Sequence, residues 1–370
     1  MVNVSHKTLG FLMGLTLSGL LPLSLISGAS ACTVEQEKAG ELSLFIRHFS
    51  PDCSKGERTS QAVPAAAIMA ALKAGKGLSL TNAVVTGDLV LTQLPSVPVT
   101  SLTLPERILA ALRKAQVTEV RTIRGPFLIR NSIVEGVMDT QLNPDMVEHR
   151  LLGDMVVIQG PVTFTGTTFT KNVDLSRTVF LGPVDSSETI FLGDAFFLTC
   201  FFDKSATFEK TAFAANTRYY QAVFYEPVTF LRAGFSGLTN FLSVTFKKEA
   251  GFSRAYFKMG TGFSGSKFEG ISDFSEAVFE KAAFFTHAVF GADTYFRRAV
   301  FRGEANFTDA VFLGKDDFAK VFYQQDPNFT RARFATPRSS IGFENPVFLA
   351  VVGVALGLFL IAFVVILKKS

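Results

Sequence analysis

Residues 283–312 read AFFTHAVFGADTYFRRAVFRGEANFTDAVF, with rings at Phe285, Phe290, Phe296, Phe301, Phe307 and Phe312 spaced alternately five and six apart. Apolar steps of three and four would mark a helix, and steps of two a flat strand. Steps of five and six suit short extended segments separated by tight turns and wound into a coil. The pattern runs outward in both directions. One series steps by eleven from Phe164 to Phe329 and the other from Phe169 to Phe334, without insertion or deletion. Of these 32 positions 28 are Phe and two are Tyr, in a chain of 370 residues that holds 40 Phe, so the lattice is not chance. Two residues before each second-series ring stands a small or β-branched side chain, from Thr167 and Cys200 to Ala277, Ala310 and Ala332. On a short strand that position shares the ring's face. A large ring beside a small partner, repeated at fixed spacing, fits a narrow stacked interior. Its central core is Phe230, Phe235, Phe241, Phe246, Phe252, Phe257, Phe263 and Phe268.

Stretches such as Ala277-Val278-Phe279, Ala288-Val289-Phe290 and Ala305-Asn306-Phe307-Thr308-Asp309-Ala310-Val311-Phe312 resemble the pentapeptide-repeat proteins, a family widespread in bacteria. The resemblance implies an all-β solenoid, a right-handed quadrilateral β-helix. It is tight over 160–335 and looser over 78–95 and 127–140, where Leu80–Leu89 and Ile129–Met138 share an N-[AS]-[VI]-V-x-G core. The sixth residue in every second unit departs from the family's strict period. Coils of about 22 residues rather than 20 are therefore expected, with a pseudo-twofold axis and a bulged corner at the six-residue sides. Eight such coils, at about 4.8 Å per layer, give a rod about 35–40 Å long. Solenoid ends need caps. Pro64–Lys73 and Pro105–Lys114 read as helices with proline at the start, and at least one is expected to cover the N-terminal coil.

The two ends carry different signals. Residues 1–31 hold Lys7, an apolar run from Leu9 to Ile26 and the small stretch Gly28-Ala29-Ser30-Ala31, as in a secretory signal peptide. Val347–Leu367 is an uncharged run of 21 apolar or small residues closed by Lys368-Lys369, long enough to span a bilayer with its positive flank inside. The expected organisation is a signal peptide (1–31), a polar segment with a capping helix (32–77), irregular first coils with a helical insertion at about 105–115 (78–160), the regular β-helix (161–335), a linker (336–346), a transmembrane helix (347–367) and a cytoplasmic tail (368–370). That places the repeats outside a bacterial membrane, in the periplasm or the lumen of an internal membrane. Two fates of Cys32 stay open. It follows a lipobox-like stretch with Ala29 in the aliphatic position, and in an oxidising compartment it can pair with Cys53.

Catalytic chemistry finds little support in the sequence. The four histidines, His6, His48, His149 and His287, show no ligand spacing, so neither a metal site nor a Ser/His/Asp site is expected. Gly260-Thr261-Gly262-Phe263-Ser264-Gly265 matches a dinucleotide fingerprint by letter, but Phe263 belongs to the ring lattice and no helix is expected after it. The sequons at Asn306 and Asn328 fall on repeat positions. Asp174, Asp185, Asp273 and Asp317 stand just before core positions, where Asn and Thr also occur, as in turn chemistry. No catalytic residue, metal ligand or cofactor is assigned. Family members that imitate DNA are acidic, whereas residues 162–336 hold 19 Lys/Arg against 18 Asp/Glu, so no nucleic-acid partner is expected.

Two outward ladders remain. Val179, Ile190, Phe201, Val223, Tyr256, Val278, Val289, Val300, Val311 and Phe322 precede second-series rings, as β-propensity or as an apolar stripe for pairing with a second copy or a partner. Lys210, Arg232, Arg254, Arg298 and Lys320, interrupted by Glu276, recur at one place in successive expected coils, as a solvated face or as an interaction face for anionic headgroups or glycans. The function expected is a non-enzymatic, membrane-tethered scaffold that binds an unidentified protein or envelope polymer. The competing class is a β-helix enzyme acting on an envelope polysaccharide.

Overall fold

The computed structural model describes residues 32–37, 43–140 and 155–335. The expected signal peptide, linker, transmembrane helix and tail lie outside the described residues. Among the described residues no helix is long and apolar enough to cross a membrane.

The chain winds into a β-solenoid with four walls of 12, 11, 9 and 11 strands, here sheets I to IV in chain order around the coil. In the regular part each strand lies parallel to its counterpart one coil later. Val162 pairs with Val184 on sheet I, Phe169 with Phe191 on sheet II, Val173 with Ala195 on sheet III and Phe180 with Phe202 on sheet IV. The 22-residue coil expected from the ring spacing is the observed one. Opposite walls are related by an eleven-residue shift, which is the pseudo-twofold.

The rings fill the axis. Second-series rings stack face to face up sheets II and IV, as Phe235 on Phe257 at 4.8 Å and Phe257 on Phe279 at 4.8 Å. First-series rings do the same behind sheets I and III, with Phe241 on Phe263 at 4.9 Å and 1° between planes. These two columns also interdigitate edge to face, Phe263 meeting Phe252 at 86° and Phe274 at 87°, both at 5.3 Å. Phe230, Phe235, Phe241, Phe246, Phe252, Phe257, Phe263 and Phe268 are all buried. The small residues two before the second series are buried from Thr167 to Ala310, and most of the polar ones bond downward. The Thr167, Thr189 and Thr211 hydroxyls donate to the carbonyls of Ile129, Phe164 and Ser186 at 2.7–2.8 Å.

The corners differ from expectation. The strained backbone is not at the six-residue ring spacing but two residues after each first-series ring. There all sixteen positions from Gly166 to Arg331 have positive φ, with Gly only at 166 and 265. The turn is closed by a bond to the ring residue's carbonyl from the amide three residues on, as from Thr167 to the Phe164 oxygen at 2.9 Å. Positive φ at the third turn residue is the type II requirement. The reason for the mismatch is that first-series rings sit just past their strands (Val162–Thr163, then Phe164) and second-series rings within them (Thr168–Phe169). Counted strand to strand, this corner is therefore the longer one. Its N-terminal members are Asn82 and Asn131, also at positive φ, from the shared N-[AS]-[VI]-V cores.

The N-terminal end is built from β1 (Val34–Gln36), antiparallel to β2 (Leu44–Phe49), which pairs in parallel with Gly77–Thr81. Helix α1 (Lys55–Ser60), not expected from the sequence, opens on a capping box between Ser54 and Glu57 and buries nothing. Helix α2 (Ala65–Lys73) inserts Ile68, Met69 and Leu72 into the main core with Phe45 and Leu78, and so plugs the first coil. Helix α3 (Glu106–Lys114) plays a different part. It lies on the outside of sheet IV, packing Ile108 and Leu112 on Val120, Val157 and Val179. Arg107 holds it there, with Nε 2.7 Å from Oδ1 of the buried Asp203, a second bond to Glu226, and its guanidinium 4.9 Å over the Tyr225 ring.

Candidate functional site

Among the described residues the stacked rings fill the interior of the regular coils, so the candidate sites are on the walls and corners. The basic ladder occupies one corner, between sheets I and II. Lys210, Arg232, Arg254, Arg298 and Lys320 all stand at the left-handed turn position, with φ of 53–57. Their side chains are partly matched along the column. Lys210 pairs with Glu188 at 2.9 Å, and Glu276 takes Arg254 at 2.8 Å and Arg298 at 3.5 Å. These neighbours hold the Glu276 carboxyl below its ordinary range, chiefly through the hydrogen bond from Arg254. Pairs this exposed contribute little to stability, and the column keeps a cationic surplus.

The apolar ladder is not one stripe. Successive second-series positions are half a coil apart, so they alternate between opposite walls. Val179, Phe201, Val223, Val289 and Val311 stand on sheet IV, where α3 buries Val179 and packs on Phe201. Ile190, Tyr256, Val278, Val300 and Phe322 stand on sheet II, where Tyr256 is 41% and Phe322 55% exposed. The helical insertion that covers Val179 and Phe201 reads in the sequence only as a helix, without its docking place.

The acids before core positions serve the corners. Asp174, Asp185, Asp273 and Asp317 each accept the amide two residues on, at 2.8–2.9 Å, as Asn240, Asn306 and Asn328 do. The sequon asparagines are thus turn residues. Asp174 is buried and lies beside Asp139 across sheet III, and burial pushes its carboxyl up to about 6. The dinucleotide-like stretch is strand, buried Phe263 and a turn at Gly265, and no helix follows it.

Two constellations came from sequence-distant residues. Cys32 and Cys53 are joined by a disulfide that ties β1 to the segment after β2. On the outer face of sheet I, the Ser79 hydroxyl lies 2.8 Å from His48 Nε2, and His48 Nδ1 lies 3.0 Å from the Glu35 carboxylate. The order hydroxyl, imidazole, carboxylate is that of a hydrolytic triad. However, Ser79 is 6% exposed and lies mid-strand, paired on both sides with Ile46 and Leu128, so no converging backbone amides are free beside it. Only the cross-strand pairing of Glu35 with His48 brings the carboxylate in. A groove of about 680 Å³ runs between the α3 arm and the wall, where Ser101, Thr103, Arg124, Gln159 and Lys204 line it. No group of three or more His, Cys, Asp or Glu among the described residues is placed to hold a metal.

A family model described as pentapeptide repeats (9 copies) matches residues 263–311. No curated protein and no solved structure matches the chain.

Proposed function

Because the chain is a pentapeptide-repeat protein, we propose that it is a non-enzymatic scaffold, exported and tethered to a bacterial membrane, that binds an anionic partner along its lateral face. The observation that carries this reading is the closed interior: the stacked rings leave the corners and walls as the only chemistry on offer. The corner of Lys210, Arg232, Arg254, Arg298 and Lys320 keeps five cations against Glu188 and Glu276. Export and tethering rest on the two apolar ends of the sequence, and the Cys32–Cys53 disulfide supports an oxidising compartment. The partner is a protein or an envelope polymer, and the winding is right-handed, as in the family.

A photocrosslinker placed at Gln221, on the opposite corner, and at Arg232 in the intact protein in its native membrane tests the face. Capture from position 232 alone, lost when the same probe is carried in Arg254→Glu/Arg298→Glu, is the expected result. Unchanged capture by the charge-reversed protein would remove the ridge from the account. The competing enzyme reading has one observation behind it, the Glu35–His48–Ser79 relay. A fluorophosphonate adduct on Ser79 that Ser79→Ala and His48→Asn both abolish would favour that reading.

A further inference from the structure

The exposed part of sheet II changes character along the rod. Its outward positions are Ala212 and Gly234, then Tyr256, Val278, Val300 and Phe322 in four successive coils. The exposed aromatic content therefore gathers in the C-terminal half. Each side of this apolar strip carries a charged column. On the sheet I side stand Arg254, Glu276, Arg298 and Lys320, and on the sheet III side Lys258, Glu280 and Arg302, five cations against two carboxylates. Glu276 is shared between Arg254 and Arg298, and Glu280 is paired with Arg302. Lys258 and Lys320 have no ion pair among the described residues.

We propose that this half of sheet II lies flat on an anionic lipid surface, its apolar strip in the headgroup boundary and its two basic columns on the phosphates. An apolar band flanked by Lys and Arg is the arrangement that binds such surfaces, by buried apolar area together with attraction to anionic lipids. The length of chain beyond the rod supports this occupant. Ala335 is the last described residue, and the eleven residues 336–346 separate it from the apolar run that begins at Val347. Fully extended, that link reaches about 40 Å at most, so a spanning segment there keeps the last coils beside the bilayer. The inference rests on the tether of the proposed function and goes beyond its partner: it assigns the C-terminal half of the cationic corner to lipid headgroups and leaves Lys210 and Arg232 to the protein or polymer.

The test uses the full chain, reconstituted in vesicles of phosphatidylcholine with or without phosphatidylglycerol. A nitroxide is placed by Val300→Cys on sheet II, and in a second protein by Val289→Cys on the opposite wall. The native cysteines are disulfide-bonded or buried. In vesicles with phosphatidylglycerol, the Val300 label should be shielded from a water-soluble nickel complex and open to lipid-dissolved oxygen, by about threefold or more over the Val289 label. Replacing Tyr256 and Phe322 with Ser should abolish the difference. Equal exposure of the two labels in both vesicles overturns the proposal. A water-exposed Val300 label in protein that binds heparin and loses that binding in Arg254→Gln/Arg298→Gln gives the face to a soluble polyanion instead. Alkaline carbonate extraction separates the two readings. Resistant protein with both labels in water keeps the tether and refutes the docking, whereas extractable protein whose Val300 label was shielded keeps the docking and refutes the tether.

Discussion

Asp174→Asn is expected to stabilise the protein. Asp174 is buried on sheet III next to Asp139, and burial lifts its carboxyl from an ordinary 3.8 to about 6. The native state therefore keeps its proton to about pH 6, while the unfolded chain releases it near 3.8. Ionisation thus penalises the folded state, and stability falls as pH rises through that window. The gap between the two values corresponds to about 3 kcal/mol above pH 6, taken as a ceiling. Its two partners within the turn, the Ser176 amide at 2.8 Å and the Ser176 hydroxyl, both donate, and a carbonyl-like oxygen can accept from them. Asn240, Asn306 and Asn328 supply that oxygen at the same turn position in other coils. The substituted amide should keep the turn and remove the charge. Denaturant melts of both proteins from pH 4 to pH 8 should show no gain for the variant at pH 4 and a gain of about 1–3 kcal/mol at pH 7. A variant no more stable than the parent at pH 7, with the same pH slope, would refute the reasoning.

Three further substitutions probe the interior and its corners. Phe263→Ala removes a ring stacked on Phe241 and Phe285 and met edge-on by Phe252 and Phe274, so it should cost about 3–5 kcal/mol. Hydrogen exchange should show the loss centred on the coils from Phe241 to Phe285. Tyr219→Phe removes a buried hydroxyl that has no hydrogen-bond partner among the described residues. The variant should therefore melt higher, by about 1–2 kcal/mol of added stability. Arg232→Gly relieves a left-handed residue at φ 56 that has no ion pair among the described residues, and the gain, about 0.5–1 kcal/mol after glycine's own entropy cost, should appear in the same melts.

The regular fold was open to reading because one interaction repeats. Each ring sees the same neighbours one coil above and one coil below, so the contact map is written as spacing. The coil length and the core rings followed from that, and the N-terminal plug from the proline-led helix and the need to cap a solenoid. What stayed hidden depends on contacts without a period. Arg107 meets Asp203 across 96 residues, and His48 meets Ser79 across 31, and neither separation is a lattice step. The left-handed corner was concealed for a different reason. Glycine normally betrays such a backbone, but Glu188, Lys210, Arg232 and Arg254 occupy it here. The ladder bonds above and below each turn impose the conformation, as the Arg232 amide bonds the Ser253 carbonyl of the next coil at 3.0 Å. The candidate interaction face was therefore legible as a charged column and illegible as a strained one. The apolar stripe failed as a single surface because an eleven-residue step crosses the rod.

The most direct test of the winding is a disulfide between adjacent coils. Val278 and Val300 are register partners on sheet II, and neighbouring strands lie about 4.8 Å apart, within disulfide reach. Val278→Cys/Val300→Cys should close almost completely on mild oxidation, while Val278→Cys/Arg298→Cys, the pair that a strict 20-residue coil would align, should stay reduced. Closure of the second pair in preference to the first would contradict the account.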